Sequence, residues 1–565
     1  MSRILKRLYM AKDILLERIS LRKELLIVLI ILITILVYGV IIYIPHPFNI
    51  IIGATIIVLS FLCIIFSNVI KKLKPFGVEE DLIYILAHLR SVVTGNPPYS
   101  ILFKLVGESD FYHKKYRNLF NKIYVLIKHW GYSVPDALRL VSKEAFSRVV
   151  EMFLQRLSAV IAIGADVSEY LRIEYNTLFS EYRTAYLRRI DALRVILGVY
   201  ATLVGAFVFM LANFMLLGLF FGGDIDIIRT GIIGIASAEL ALAMLLYAFI
   251  KRGRLEHTMK IRPRIITYIK IATVGGLASA IPFTLILGRQ FVYRLETAPI
   301  LLVYIGLSFL PAGFLAKRHE GQIYEIDDFF PVFIRGYGEH LAIVPNMAES
   351  LKPILIAELG KLKKFLRNAY ARLVNFIDPR IVWNYFAGET GSEMVRRGMH
   401  IFMDTVENGG DVKMAGTLIS DHLNDLIRLR RTMLQVFKTF ESTMYLMHGA
   451  AVLLLTFITK LMVVFSDILT TFVQTIPPEF AGLFHIITIP PGEVALLTAI
   501  ATFMITIANS ISLMAANPGS KYAGLMFISI LMIISGITYY AGQYFMEMII
   551  SQIVGGFTSV MKFSS

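Results

Sequence analysis

The sequence predicts an all-α protein that crosses a membrane several times, and three observations carry this prediction. The 565 residues are 56% hydrophobic, with a mean hydropathy of +0.67, which is too apolar for a soluble protein. Apolar runs long enough to cross a bilayer alternate with polar stretches that carry leucine, isoleucine and valine at helical spacing. A polar hairpin followed by an arginine-bearing helix and an apolar run also occurs twice, which indicates an internal parallel duplication.

The N-terminal 70 residues are expected to anchor the chain. Residues 1–24 contain seven lysines and arginines and are predicted to form a basic amphipathic helix on the membrane surface. Residues 25–70 are predicted to form transmembrane helices 1 and 2, over 25–44 and 48–70, separated by Pro45-His-Pro47. The first apolar run is too long for a cleavable signal peptide, so we expect it to stay in the protein.

Residues 71–194, the first block, are predicted to form a cytoplasmic domain of about six helices. Helix breaks are expected at Thr94-Gly-Asn-Pro-Pro98, at Gly131-Tyr-Ser-Val-Pro135 and at Gly164-Ala-Asp166. Glycine accepts the left-handed conformation of a helix C-cap, and aspartate caps the next helix. The following helix runs directly into an apolar stretch, so a helical hairpin is joined to a membrane helix.

Residues 195–316 are predicted to hold transmembrane helices 3 to 6, over 195–221, 230–250, 268–288 and 299–316. The second block, 317–444, is predicted to repeat the first, with loop-like additions at Ile377-Asp-Pro379 and at Gly388 to Gly391. Only its last third matches closely, where Gly409-Gly-Asp-Val412 aligns with Gly164-Ala-Asp-Val167. Residues 445–565 then hold transmembrane helices 7 to 9, over 445–465, 491–513 and 523–546, which gives about nine spans in all.

The distribution of basic residues predicts the orientation of the chain. Residues 1–24 and 251–267 are rich in lysine and arginine, which favours the cytoplasmic side of the cell membrane. Both blocks and the N-terminus then lie inside, and the C-terminus lies outside. The net charge of +15 reflects this bias and an attraction to anionic membrane lipids, so we do not expect nucleic-acid binding. The single cysteine, Cys63, offers neither a disulfide nor a thiolate metal site.

Sequence motifs for catalysis are missing. The chain has no phosphate-binding Gly-x-x-x-x-Gly-Lys-Ser/Thr, no His-Glu-x-x-His, no Gly-x-Ser-x-Gly and no Cys-x-x-Cys. His319-Glu320 lacks the second histidine of a zinc motif. We therefore expect a protein that is not an enzyme and needs no cofactor or metal, and that draws the energy for any work from a partner.

The hairpins and the arginine-bearing helices are the candidate partner contacts. The glycines and aspartates of the hairpins are explained either as a tight turn with a helix cap or as a tip presented to a partner. The arginines either mark the cytoplasmic foot of a span or meet an acidic protein surface. The candidate residues are Asp166, Arg183, Arg188, Arg189, Gly409, Gly410, Asp411, Arg428, Arg430 and Arg431.

Two ionisable residues lie within the predicted spans, Glu239 in the fourth and Lys460 in the seventh. Charges in lipid are costly and are usually paired or functional. The first interpretation is a Glu239–Lys460 ion pair that fixes helix packing between the repeats. The second is a polar lane for a proton or a substrate, which we consider weaker because two ionisable groups are few for a transport path.

The duplicated unit of Gly-x-Asp-Val hairpin, arginine-rich helix and span resembles the type II secretion system F-protein family. Within that family, the chain looks like the long archaeal members that serve as membrane platforms for archaella and type IV pilus-like filaments. The breaks at Val92-Val-Thr-Gly95 and Gly131 to Leu138 are similar to the family's small-residue turns. The chain departs from the pattern at Ala165, where a glycine is expected, and in the second block, which lacks the early glycine.

The resemblance implies a platform protein that docks a hexameric secretion ATPase on its cytoplasmic side. It also implies pilin- or archaellin-like subunits as membrane partners, and a homodimer beneath the ATPase ring. On this hypothesis the hairpin tips and the arginine-bearing helices contact the ATPase. The membrane helices, with Glu239 and Lys460, receive the pilin segments.

The alternative is a secondary transporter with two parallel repeats and an intramembrane polar path. Transporters rarely place more than a hundred helical residues between spans in both halves, and broken mid-membrane helices are not evident here. A membrane-bound enzyme, the third possibility, lacks a recognisable catalytic set.

Overall fold

The computed structural model of the chain describes residues 77–221, 225–250, 253–292, 296–475 and 491–563. Over these residues the secondary structure is helical, and the only β-type pairing is an isolated bridge between Glu256 and Ser392. The predicted all-α class is therefore confirmed. The predicted N-terminal helix and transmembrane helices 1 and 2 lie outside the described residues.

The first block folds into helices separated at the predicted breaks. Ser133 caps the fourth helix by accepting a hydrogen bond from the backbone N–H of Asp136, and Pro135 lies in its first turn. The helices are α1 (Glu80–Val92), α2 (Tyr99–Glu108), α3 (Lys114–Lys128), α4 (Val134–Ser142), α5 (Arg148–Ala162) and α6 (Val167–Phe221). A single 3₁₀ turn, Val93–Gly95, follows α1.

The rest of the chain is also helical. Its helices are α7 (Ile225–Phe249), α8 (Arg264–Val292), α9 (Ala298–Ile343), α10 (Met347–Leu351), α11 (Leu362–Val374), α12 (Pro379–Thr390), α13 (Glu393–Glu407), α14 (Val412–Thr475), α15 (Pro491–Ala516) and α16 (Gly524–Phe563). Two 3₁₀ turns, Ile354–Ile356 and Lys521–Ala523, lie between them.

One local prediction in the second block is only partly right. Loop-like material was expected at 377–379 and at 388–391. Residues 377–378 and Gly391 do lie outside the helices, but Pro379 and residues 388–390 belong to a regular helix, α12. Asp378 caps it by accepting hydrogen bonds from the N–H groups of Arg380 and Ile381. Gly388 lies inside this helix at a position where a larger residue would not fit. Ile261 packs against it, and a β-carbon there would come within 2.7 Å of the isoleucine side chain.

Seven of the described helices are long and apolar enough to cross a membrane, and each coincides, to within one residue at either end, with or extends beyond one of the predicted transmembrane helices 3 to 9. The chain is therefore a multi-pass membrane protein. Three of these helices, α6, α9 and α14, also reach far into the polar blocks, with lengths of 55, 46 and 64 residues. Each links block and membrane without a break in the helix.

The first and second blocks pack into one helical body. A single cluster of buried side chains runs through both, and helix α1 of the first block contacts α13 and α14 of the second. Tyr84 and Phe103 belong to this cluster, as do Tyr337 and Trp383. A second cluster, formed by the apolar parts of the long helices with α7, α8, α15 and α16, makes up the membrane bundle.

Candidate partner-docking surface

The hairpin of the first block presents an exposed tip. Gly164 has a φ of +66°, which turns the chain between α5 and α6 at little steric cost. The carboxylate of Asp166 accepts a hydrogen bond of 2.8 Å from the N–H of Ser168 and so caps α6. Ile163, at the tip, is 79% exposed, and a β-carbon on Gly164 would meet no atom within 4 Å. No other part of the described chain covers this tip.

The hairpin of the second block has the same local design but a different environment. Gly409 has a φ of +70°, and Asp411 accepts a hydrogen bond of 3.0 Å from the N–H of Met414. This tip lies against the Thr94-Gly95 turn of the first block, where the N–H of Asp411 donates to Thr94 Oγ1 at 2.9 Å. The second hairpin therefore joins the two blocks, while the first remains accessible.

Close packing at this joint depends on glycine. A β-carbon on Gly95 would lie 2.4 Å from the carbonyl oxygen of Asn408, and one on Gly410 would lie 2.9 Å from Thr94 Oγ1. The predicted turns were correct, but the contact between Gly95 and Gly410 links positions more than 300 residues apart. Nothing in either local sequence indicates it.

The predicted arginines divide into exposed and buried groups. Arg183, Arg188 and Arg189 of α6 are exposed and form no ion pair with any other described residue. Arg428 is 76% exposed, 3.9 Å from Asp425, and Arg431 is 62% exposed, 2.9 Å from Asp328. These five side chains remain candidates for partner contact.

Arg430 is placed differently from its neighbours. Only 15% of its side chain is exposed, and its guanidinium pairs with the buried carboxylate of Asp327. The same carboxylate accepts a hydrogen bond from Ser392. Arg430 therefore fixes α14 against α9 and does not belong to the exposed surface.

A groove runs between α6 and α14 on the surface of the helical body. Its volume is about 630 Å³. Two predicted contact residues, Arg183 and Asp411, lie on it. Its charged lining residues are Arg90, Arg183, Lys413, Asp411, Asp421 and Asp425, and His422 contributes to its lining.

A buried polar cluster between α1 and α13 was not expected from the sequence. Asp404, 1% exposed, has His88 Nε2 at 3.0 Å, His400 Nδ1 at 3.1 Å and Arg380 Nη2 at 2.7 Å. Burial raises the pKa of Asp404, but the imidazole nitrogens of His400 and His88 close to its carboxylate outweigh burial and hold the pKa well below its ordinary value. His88 lies in the first block and Asp404 in the second, so no local motif could have indicated the cluster.

Arg397 makes a second buried link between the same helices. Its guanidinium nitrogens lie 2.9 Å from Glu393 and 3.0 Å from Asp81, and the side chain is 2% exposed. Burial lowers the pKa of Arg397, but Glu393, Asp81 and Glu80 raise it further than burial lowers it. The ion pairs therefore keep this arginine charged inside the helical body.

The predicted ion pair between Glu239 and Lys460 is wrong. Lys460 Nζ lies 2.7 Å from Glu547, because this part of α14 packs against α16. Glu239 is fully buried where α7 packs against α15, beside Tyr200 and Asn509. Its carboxylate oxygens have no hydrogen-bond partner within the described part of the chain.

Buried hydrogen bonds connect four membrane helices near Glu239. Tyr200 of α6 donates to Asn509 of α15 at 3.2 Å, and Asn509 lies 3.2 Å from Nδ1 of His448 in α14. His448 Nε2 lies 2.7 Å from the hydroxyl of Ser535 in α16. The histidine was missed in the sequence, although an ionisable residue within an apolar run is the signal that could have found it.

Comparison with known proteins finds one matching family and two similar proteins of known name. Residues 85–214 match the family described as "Type II secretion system (T2SS), protein F". The chain is 23% identical over 451 residues to flagella accessory protein J of Methanocaldococcus jannaschii, covering 77% of this chain and 78% of that protein. It is 23% identical over 358 residues to flagella accessory protein J of Methanococcus voltae, covering 59% and 61%.

No solved structure matches the chain. The family match spans the first block and its continuation into the membrane, and the relatives extend the similarity into the second half. With its two hairpins that each lead into a long helix, the chain is similar to the type II secretion system F family over residues 85–214 and to the flagella accessory J proteins over most of its length.

Proposed function

We propose that this protein is the membrane platform on which an archaellum or a related type IV pilus-like filament is assembled. The observation that carries the proposal is the direct continuation of α6, α9 and α14 from the helical body into the membrane bundle, in a chain similar to this family. A platform has to connect events beside the membrane with events inside it. Neither the family match nor the relatives support the transporter alternative.

The energy for assembly would come from a hexameric ATPase on the cytoplasmic side, since the sequence has no phosphate-binding loop. We place its contacts on the first hairpin tip, around Asp166, and on the exposed arginines. Their exposure and lack of buried partners support this assignment. The contact residues would be Arg183, Arg188, Arg189, Arg428 and Arg431.

Pilin- or archaellin-like subunits would meet the membrane bundle, and the platform would work as a homodimer with its N-terminus inside the cell. The long helices give a mechanical route between the two partners. At about 1.5 Å per residue, α6 spans roughly 80 Å. A push at the hairpin tip would therefore be carried into the bilayer without passing through a flexible loop.

Deletion of the gene in the native host tests the proposal. Filaments of each type are counted by negative-stain electron microscopy, and immunoblotting confirms that the filament subunits are still made. We expect one filament type to disappear while its subunits remain in the membrane, and plasmid-borne wild-type protein to restore it. Normal numbers of every filament type in the deletion strain would overturn the proposal.

A further inference from the structure

The groove between α6 and α14 carries positive charge that the protein itself leaves unused. Arg183 and Lys413 are exposed on opposite sides of it and form no ion pair with other described residues. Arg90 lies between α1 and α6, with its guanidinium carbon 5.5 Å from the ring of Tyr175, and its buried Nε has no hydrogen-bond partner in the described structure. Three cationic side chains thus face one groove.

The carboxylates of the same groove are already engaged. Asp421 pairs with Arg335, and Asp425 lies 3.9 Å from Arg428. Asp411 accepts a hydrogen bond from the N–H of Met414 and caps α14. With Asp421 and Asp425 ion-paired, three cationic side chains remain against the single carboxylate of Asp411, so the groove keeps a net positive charge.

His422 contributes to the groove lining and carries an unpaired, buried ring nitrogen. It is 2% exposed, and its Nδ1 lies 2.9 Å from the hydroxyl of Tyr175. Its Nε2 has no hydrogen-bond partner within the described residues. Buried polar atoms are rarely left unpaired, because an unmade hydrogen bond costs free energy.

We propose that this groove holds an acidic segment of a cytoplasmic partner protein, with its carboxylates bound by Arg183, Lys413 and Arg90. Arginine binds carboxylates through paired hydrogen bonds, and a volume of about 630 Å³ is of the size that holds a short segment or a small ligand. The carboxylate of Asp411, which makes no ion pair with another described residue, would repel a polyphosphate, whose negative charge is concentrated, more strongly than the spaced carboxylates of a peptide. The proposal rests on the proposed function only in expecting this partner to belong to the assembly machine.

Site-specific photo-crosslinking tests the inference in the native host with the full chain. Benzoylphenylalanine replaces Ser180, which lines the groove, or Glu181, which is exposed on the same helix but does not line it. We expect Ser180 alone to give an adduct, and mass spectrometry of the linked peptide to find several aspartates or glutamates. No adduct at Ser180, equal adducts at both positions or a linked peptide without acidic residues would overturn the proposal.

Charge reversal supplies the matched control. Arg183→Glu with Lys413→Glu is expected to reduce the Ser180 adduct at least tenfold. Lys364→Glu with Arg367→Glu makes the same charge change on exposed side chains of α11, outside the groove and outside the proposed contact residues, and should leave the adduct unchanged. The milder Arg183→Gln with Lys413→Gln should also weaken the Ser180 adduct, and this neutral variant guards against an effect of misfolding. Arg183→Lys keeps the positive charge and should retain the adduct. An equal effect of the two charge reversals would refute the assignment.

The filament counts separate this inference from the proposed function. If filaments depend on the gene but no acidic segment crosslinks to Ser180, the groove assignment fails and the platform function stands. If the acidic adduct forms but filaments survive gene deletion, the platform function fails and the groove assignment stands.

Discussion

Arg430 and Arg431 are neighbours in the sequence with opposite environments. The guanidinium of Arg430 is held by the buried Asp327, whereas Arg431 is 62% exposed and pairs with Asp328 at the surface. The sequence places both on one polar helix but does not say which side faces α9. That distinction depends on how α14 packs, and the packing involves residues about a hundred positions away.

Replacing these two arginines by alanine should have very different effects on stability. Arg430→Ala leaves the buried Asp327 carboxylate without its cation, which is expected to cost about 3–5 kcal/mol. Arg431→Ala removes an exposed ion pair and should cost about 1 kcal/mol or less. Thermal denaturation of the detergent-solubilised protein measures the difference, and equal melting temperatures would contradict the placement of Arg430.

Asp404 predicts a pH dependence of stability. Its pKa in the folded protein lies below the ordinary carboxyl value, so the ionised form contributes stability above about pH 4, which is lost as the pH falls toward the folded pKa. Asp404→Asn cannot ionise, so its melting temperature should be lower at pH 7, and the difference from the wild type should begin to narrow as the pH falls from 4 to 3 without closing, because the folded carboxylate is still ionised at pH 3. The exposed Asp136→Asn serves as control. A constant difference between wild type and Asp404→Asn from pH 7 to pH 3 would be evidence against this role.

At the scale of helices and turns, the sequence was most informative where the signals are local. The breaks at 94–98, 131–135, 164–166 and 409–411 were all found, because glycine, proline and capping residues act on their own neighbours. Around α12, residues 377–378 and Gly391 are loop-like as expected, but residues 388–390 lie in the helix, because the same residue types can end a helix as well as form a loop. The docking of the second hairpin on the first block could not be predicted, since it depends on distant contacts.

The joint between the second hairpin and the Thr94-Gly95 turn should be sensitive to a single methyl group. Gly95→Ala would bring a β-carbon to 2.4 Å from a backbone oxygen, so the two segments must move apart, at an expected cost of about 1–3 kcal/mol. Gly321→Ala is the matched control, because this exposed helical glycine has open space around it and alanine favours helix. Chemical or thermal denaturation should show loss of stability only for Gly95→Ala.

Continuity of α6 between the helical body and the membrane is expected to be required for filament assembly. Ala192→Pro removes a helical hydrogen bond and kinks the helix at an exposed position, at a local cost of about 3 kcal/mol or more. Cells carrying it should insert the protein and retain the groove crosslink at Ser180 but lose filaments, while Ala192→Ser should behave as the wild type. Normal filament numbers with Ala192→Pro would show that rigid continuity is not needed.

For the whole molecule, composition and hydrophobic periodicity were enough to predict the all-α class and the seven spans that fall in the described residues. They could not show that the two blocks share one core. The contacts of Asp404 with His88, and of Arg397 with Asp81, join the blocks across more than 300 residues of sequence. Nor could the sequence indicate that Lys460 lies beside Glu547, because the packing of the whole membrane bundle determines which spans are neighbours.

The shared core has a consequence for the duplication that the sequence predicts. If the two blocks are copies, their meeting inside one molecule reproduces the contact that two separate single-copy chains would make, and the seam between them corresponds to an ancestral dimer interface joined by gene fusion. Because one chain already fills that seam from both sides, the seam is closed to a second copy of the present chain.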